Sequence, residues 1–265
     1  MFVELGICSN FTFLKGASHG EEYMRRAGLL GMSAMAVADE NSVAGIVRAH
    51  TEAREIARWV RLRAEADQDP IGPPRPAHLP RPPSADITTT PRLIPAARIV
   101  LSDGFSVTAL PYQRQGWGHL CRLLSKGRLR AEKGSCELRL DDLLEWGAGM
   151  ALLLHPQEPG QKSGAGAWAP QAKRLVRRFA GDCHLLMAPR YDGQDAARFE
   201  RLARLADGLG IPTIASAAPL MHHGRRRKLA AGRELDSRCE LDAGRRPRAG
   251  RRPRAGRRAR AGRWT

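Results

Sequence analysis

The feature that most constrains the fold of this chain is a regular alternation of strand and helix signals. Residues 2–8 alternate apolar and polar side chains as a half-buried strand does, and a capping-box pattern from Ser18 to Glu21 precedes a helix that ends at Gly31. We predict further strands over residues 33–38, 93–102, 105–110, 150–154, 184–188 and 211–215, and helices over residues 43–63, 114–126, 141–146, 171–180 and 194–209. The pair Asp103-Gly104 predicts a hairpin between two of these strands. Strands that alternate with helices in this way are typical of a parallel α/β sheet or barrel.

Two segments of unusual composition set the domain boundaries. Residues 70–83 contain seven prolines in fourteen positions, which removes backbone donors, so we interpret residues 67–91 as a surface excursion. From Ala243 the chain repeats the hexapeptide AGRRPR almost without change, and this repeat has no apolar residue larger than alanine to bury. We therefore predict one domain over residues 1–230 and a disordered, Arg-rich tail over residues 231–265.

The positive charge of the chain is concentrated in this tail. Lys and Arg total 44 against 27 Asp and Glu, a net charge of +17, but ten arginines lie in residues 243–265, which leaves +7 for the rest. We expect the tail to bind DNA without sequence preference. The body of the chain is only mildly basic, which argues against a surface that evolved to cover nucleic acid. The five cysteines form no C-x-x-C pair, which favours a reducing cytoplasm, and no apolar run approaches the roughly 20 residues of a membrane span.

Two long blocks carry a resemblance to a known family. SNFTFLKGASH at residues 9–19 and LCRLLSKGRLRAEKG at residues 120–134 resemble the opening of the error-prone DNA polymerases of the bacterial C family, relatives of the replicative alpha subunit. The resemblance implies a polymerase-and-histidinol-phosphatase (PHP) domain, which is a distorted α/β barrel. It covers most of residues 2–230 and then stops, where the family continues into the polymerase palm. We therefore expect an N-terminal piece whose partner is the rest of the polymerase chain.

The same resemblance implies what catalytic groups to expect. Nucleotide transfer needs carboxylates that hold two metal ions, and in this family they lie in the palm. We therefore assign no catalytic residue here, and Mg²⁺ is expected to serve the full polymerase. Intact PHP domains ring a metal cluster with His, Asp and Glu at the C-terminal ends of the barrel strands. At the corresponding positions this sequence has Gly6, Cys8, Asp39, Glu40, Arg98, Ala218 and Leu220. Only Cys8, Asp39 and Glu40 could bind a metal, so we predict a degenerate site with no bound metal and no cofactor.

Basic residues after the last predicted strand form a second candidate site. His222 and His223 are followed by Arg225, Arg226, Arg227 and Lys228. We favour a solvated loop for this segment, with contacts to the DNA backbone in an intact polymerase as the alternative.

Three functions remain open from the sequence. The leading hypothesis is a PHP-like structural module of an error-prone polymerase that serves DNA damage bypass and repair. The first alternative is an independent, metal-dependent PHP-type phosphoesterase, against which the missing ligands argue. The second alternative is a small basic protein that binds nucleic acid through its arginine tail, although Trp264 is the tail's one aromatic residue available for stacking.

Overall fold

The computed structural model describes residues 2–68, 84, 86–157 and 168–229, without the side chains of residues 66–68. Its strands are β1 (Glu4–Ile7), β2 (Ala34–Glu40), β3 (Arg92–Val100), β4 (Ser106–Pro111), β5 (Met150–Leu154), β6 (Cys183–Met187) and β7 (Thr213–Ala215). Its helices are α1 (Gly20–Leu29), α2 (Ala44–Gln68), α3 (Arg114–Arg130), α4 (Leu140–Trp146), α5 (Trp168–Arg178) and α6 (Asp195–Leu209), with a short 3-10 helix at Gly224–Arg226. The predicted order of strands and helices is confirmed. Most of the proline-rich excursion and the whole predicted tail lie outside the described residues.

The ends of the helices follow the sequence signals with one correction. Gly31 and Gly210 adopt positive φ angles of 64° and 67° immediately after α1 and α6, as expected for helix-terminating glycines. The predicted capping box at the start of α1 is wrong by one residue: the backbone amide of His19 donates to Glu22, at 2.8 Å. Ser18 is not the cap because its hydroxyl lies 2.8 Å from Nδ1 of His222, far along the chain.

The seven described strands form one sheet in chain order, from β1 to β7. Strands β1 to β3 are parallel to one another, and so are β5 to β7. Strand β4 runs antiparallel to both of its neighbours because the hairpin at Asp103-Gly104 reverses the chain, with Gly104 at a φ of 88°. The sheet is therefore mixed, in contrast to the all-parallel sheet that strand–helix alternation alone predicts.

The sheet curls so that the segment following β7 reaches β1. Glu4 of β1 is 3% exposed, and its carboxylate accepts hydrogen bonds from the hydroxyl of Ser216 and, at 2.8 Å, from the backbone amide of Ala217. The amide of Cys8 also donates to the carbonyl of Pro219, at 3.4 Å. These bonds close the curl through side chains and loop backbone, where a full barrel would use a strand pair.

Apolar side chains cover both faces of the sheet. The outer face packs against the helices, and Leu120, Leu123 and Leu124 of α3 belong to this core as their helical spacing predicts. The inner face carries alanines and leucines: Ala36, Ala38, Ala96, Leu110, Leu153 and Leu186. Among the described helices, none is both long enough and apolar enough to cross a bilayer.

Candidate functional site

The C-terminal edge of the parallel strands gathers the residues that the sequence analysis singled out. Cys8 follows β1, Asp39 and Glu40 end β2, and Arg98 lies on β3 directly opposite Glu40 in the strand register. The segment 218–220 approaches from the far end of the sheet through the bond between Pro219 and Cys8. In α/β barrels this edge is where functional groups converge. The predicted positions are thus brought together at one end of the sheet.

Asp39 is a buried carboxylate whose oxygens are already occupied by its own chain. It is 1% exposed, and it accepts hydrogen bonds from the amide of Ser9 at 2.8 Å, the hydroxyl of Ser9 at 2.8 Å and the hydroxyl of Thr12 at 2.9 Å. Burial raises the pKa of Asp39 above its ordinary value, although these bonds oppose that shift. Asp39 therefore fastens the loop after β1 to the end of β2.

Gly45, at the start of α2, fits closely against this carboxylate. A Cβ atom at position 45 would lie 2.2 Å from Oδ2 of Asp39 and 2.5 Å from Oγ of Ser9. The first turn of α2 thus packs directly against one side of Asp39, with no room there for a larger side chain.

Glu40 lies between two cations. Its carboxylate forms an ion pair with Lys15 and a looser one with Arg98, whose Nη1 is 3.8 Å from Oε1. A metal ion bound by Glu40 would have to displace Lys15 and tolerate the guanidinium of Arg98. The charge of Arg98 therefore opposes metal binding at this carboxylate.

The remaining positions offer a poor set of metal ligands. Burial raises the pKa of the Cys8 thiol to about 11, which disfavours the thiolate form that a metal ion binds. At Gly6 a Cβ would lie 2.7 Å from Oγ of Ser216, so the space for a histidine is closed by the contact between Glu4 and Ser216. Within the described part of the chain, no group of three or more His, Cys, Asp or Glu is arranged to hold a metal ion. The residues present do not fit the metal cluster of an intact PHP domain.

A small cavity lies beside Arg98, at the ends of β3, β5 and β6. It has a volume of about 80 Å³, and Arg98, Ser106, His155, Arg190 and Arg198 contribute to its lining. His155 follows β5, and its Nε2 lies 2.8 Å from the hydroxyl of Thr108. Burial and the charge of Arg98 hold the pKa of His155 well below its ordinary value, so the imidazole is neutral at pH 7.

The basic segment after β7 divides into internal and exposed residues. Arg226 forms an ion pair with Glu22 of α1, and His222 packs edge-on against Tyr23, with ring centroids 6.3 Å apart. Both residues tie this segment to α1, which the sequence did not indicate because Glu22 and Tyr23 lie about 200 positions earlier. Arg225, Arg227 and Lys228 are exposed.

The sequence analysis also missed two residues that hold the site together. Glu4 and Ser18 each bond to the segment after β7, and neither carried a local motif that indicated this role. A charged residue in a short apolar strand was the one available signal for Glu4, because such a residue must find partners when buried.

Comparisons with known proteins agree with the resemblance seen in the sequence. The chain is 41% identical over 239 residues to an error-prone DNA polymerase of Ruegeria pomeroyi, a match that covers 86% of this chain and 21% of that protein. Error-prone DNA polymerases of Rhodopseudomonas palustris and Sinorhizobium medicae are 36% and 37% identical, again over 86% of this chain. The chain thus spans about a fifth of the length of these curated relatives. No protein-family model matches it.

Among solved structures, a proposed metal-dependent phosphoesterase from Bifidobacterium adolescentis superimposes with a TM-score of 0.53. The match covers 87% of this chain and 96% of that one at 11% sequence identity, so it shows a shared fold. The predicted fold class, a distorted PHP-type α/β barrel, is confirmed in the form of a curled half-barrel.

Proposed function

Because the chain is related along 86% of its length to error-prone DNA polymerases, we propose that it is a PHP-like module with a structural, non-catalytic role in such a polymerase. The relatives are about five times longer than this match, so nucleotide transfer, and the Mg²⁺ that supports it, are assigned to their remaining length. Translesion synthesis, DNA repair and a cytoplasmic location are part of this proposal.

The observation that carries the proposal is the state of Asp39. Both oxygens of Asp39 accept hydrogen bonds from Ser9 and Thr12, and among the described residues no set of ligands converges on this carboxylate to hold a metal ion with it. These bonds connect the loop after β1 to the end of β2, and a further hydrogen bond from the backbone of Gly45 joins the start of α2 to the same carboxylate. Asp39 therefore supports the fold in the place where a phosphoesterase would use it for chemistry.

The phosphoesterase alternative is weaker for the same reason. Metal-assisted hydrolysis needs several convergent ligands and an open coordination position for water. Here burial disfavours the thiolate form of Cys8, Glu40 is paired with Lys15, and Arg98 adds a positive charge. A likeness of fold to a phosphoesterase does not supply these groups.

Binding of nucleic acid has separate support in the described residues. Arg225, Arg227 and Lys228 are exposed after β7, and none of them forms an ion pair with any described residue. We propose that these three cations contact the DNA backbone, whereas the guanidinium of Arg226 is paired with Glu22. Such contacts position a protein on DNA and do not read sequence.

A chimera tests the structural role. The matching segment of the Ruegeria pomeroyi polymerase is replaced by residues 2–229 of this chain, and the chimera is compared with the intact polymerase and with a deletion of that segment. We expect the chimera to extend primers within a fewfold of the intact polymerase and the deletion to lose soluble, active protein. A chimera no better than the deletion would contradict the proposal.

A second measurement tests the catalytic alternative. The isolated chain is assayed for hydrolysis of p-nitrophenyl phosphate with Mn²⁺ or Zn²⁺, beside its Asp39→Asn variant. We expect no hydrolysis by either protein. Metal-dependent hydrolysis that Asp39→Asn abolishes would establish the phosphoesterase instead.

A further inference from the structure

The cavity beside Arg98 has an unusual charge for its position in the fold. Its described lining contains three arginines, Arg98, Arg190 and Arg198, and no acidic side chain. In a metal-dependent relative this end of the sheet is rich in carboxylates and imidazoles that surround cations. Here the fixed positive charge belongs to the protein itself, so a ligand in this cavity would carry negative charge.

Arg98 has hydrogen-bonding capacity that the described chain leaves unused. Its Nε atom is buried and has no hydrogen-bond partner among the described residues. Its Nη2 donates to the hydroxyl of Ser106 at a long 3.4 Å, and its Nη1 is 3.8 Å from Glu40. Buried donors are normally paired, and because the Arg98 side chain as a whole is 37% exposed, this Nε–H is accessible to an acceptor that enters the cavity.

The other two arginines differ from Arg98. Arg198 is 12% exposed and is held by Asp192 and Asp195, which keeps its guanidinium in place and compensates its charge. The backbone amide of Arg190 donates to Asp195 at 2.9 Å, which fixes the loop after β6 beside the cavity. The charge of Arg98, which is paired only loosely with Glu40, is therefore less compensated than that of Arg198.

The uncharged groups of the cavity are also compatible with an anion. Ser106 is 6% exposed and its hydroxyl lies next to the guanidinium of Arg98. His155 is neutral at pH 7 and carries one N–H donor in either tautomer. The cavity therefore offers donors and contains no carboxylate that would repel an oxyanion.

The volume limits the size of the ligand. A volume of about 80 Å³ suits a few water molecules or one tetrahedral group with four oxygens. Arginine binds phosphate oxygens through two parallel N–H groups, and Nε and Nη2 of Arg98 form such a pair.

From this geometry we infer that the cavity is a metal-free binding site for a single phosphate group, with Arg98 as its main ligand and Ser106 as a second donor. The phosphate is either free or the terminal phosphate of a nucleic acid strand, since both present the same oxygens. The inference does not depend on the structural role proposed above, because a chimera can extend primers whether or not this site binds phosphate.

The test follows the Nε–H resonance of Arg98 in a ¹H–¹⁵N spectrum of the full chain, identified by its absence in Arg98→Met. Ionic strength is held constant with chloride. Inorganic phosphate and a 5′-phosphorylated oligonucleotide are titrated separately, with the same oligonucleotide lacking its phosphate as a control. A saturable shift with either phosphate identifies the source and supports the site. No shift with either, or an equal shift with the unphosphorylated strand, would overturn it.

Affinity measured by calorimetry gives the second readout. Arg98→Met should weaken phosphate binding at least tenfold, and Ser106→Ala should weaken it severalfold. Arg61→Met removes an exposed charge on α2 and is the matched control, expected within twofold of the wild type. If Arg98→Met loses its native circular dichroism, Arg98→Lys and Ser106→Ala carry the test, with Arg98→Lys intermediate. Equal affinities for all variants would refute the assignment and leave only the arginine repeat as the phosphate binder.

Discussion

Replacing Asp39 gives the sharpest test of its proposed structural role. Asp39→Ala removes the acceptor of three hydrogen bonds and leaves the buried amide of Ser9 without a partner. Hydrogen bonds to a charged group contribute about 1.5–3 kcal/mol each, but the raised pKa of Asp39 shows that its charge is also penalised by burial. Allowing for this opposition, we expect Asp39→Ala to lower the free energy of unfolding by about 3 kcal/mol.

Asp39→Asn should behave differently from Asp39→Ala. The amide oxygen can replace Oδ1, which accepts from the Ser9 amide and Thr12, while the hydroxyl of Ser9 can rotate to accept from the new NH₂ group. We expect a loss of about 1 kcal/mol, because most of the bonds survive. If Asp39 were instead a metal ligand, the two variants would lose equal stability, because Asn and Ala would both remove the ion.

The pH dependence has a defined sign. A carboxyl group whose pKa is raised in the folded state stabilises the fold below its ordinary pKa, and that contribution is lost as pH rises through the raised value. The destabilisation by Asp39→Asn should therefore be greater at pH 4 than at pH 7.

Urea unfolding followed by circular dichroism measures these effects. For an m value (the change in unfolding free energy per molar urea) of about 3 kcal/mol/M, Asp39→Ala should lower the urea midpoint by about 1 M and leave m unchanged. Glu40→Gln is the matched control because Glu40 pairs with a half-exposed Lys15, and its cost should stay below about 1 kcal/mol. Equal losses for the two Asp39 variants, together with a wild-type midpoint that EDTA lowers, would refute the structural reading.

Three further predictions concern other parts of the chain. Arg130 and Lys126 hold the pKa of the Asp142 carboxyl well below its ordinary range. Asp142→Asn should therefore lower the free energy of unfolding by about 2 kcal/mol at pH 7 in urea unfolding, and the difference from the wild type should decrease as pH falls below about 4. Gly116→Ala would place a Cβ 1.9 Å from the carbonyl oxygen of Gly149 and should lower the melting temperature by several degrees, whereas Gly118→Ala on the same helix meets nothing within 4 Å and should not. Deleting residues 243–265 should remove most non-specific DNA binding in anisotropy titrations. If half of the ten arginines each neutralise one phosphate, the log–log salt slope that is lost is about −4 to −5, and an unchanged slope would exclude the tail as the binding element.

Local sequence patterns predicted the secondary structure well because each element carries its own periodicity and stop signal. The hairpin at Asp103-Gly104 and the helix end at Gly210 are examples in which a turn residue decides the geometry alone. The start of α1 was misplaced by one residue because Ser18 has a partner, His222, that no local window contains. Boundaries set by long-range contacts lie beyond such patterns.

The candidate site was predictable as a set of positions but not as an arrangement. Matching residues to a metal-binding pattern identified Cys8, Asp39 and Glu40 and showed that ligands were missing. It did not reveal that Asp39 is occupied by Ser9 and Thr12, because both donors lie in a loop whose path depends on tertiary packing. The cavity beside Arg98 was missed for the same reason, since its arginines come from β3, the loop after β6 and α6.

The way in which strand ends are connected explains how this fold can exist with its metal ligands replaced. A metal cluster cross-links several strand ends because ligands from each of them bind the same ions. Without the cluster, the loops at that end of a curled sheet would lose these cross-links. In this chain Asp39 links the loop after β1 to β2, and Glu4 links β1 to the segment after β7. Both carboxylates bind backbone amides and hydroxyls of the chain itself, and these donors need no ion. Two buried carboxylates therefore cross-link the strand ends without an ion, which supports the structural role that we propose for this chain.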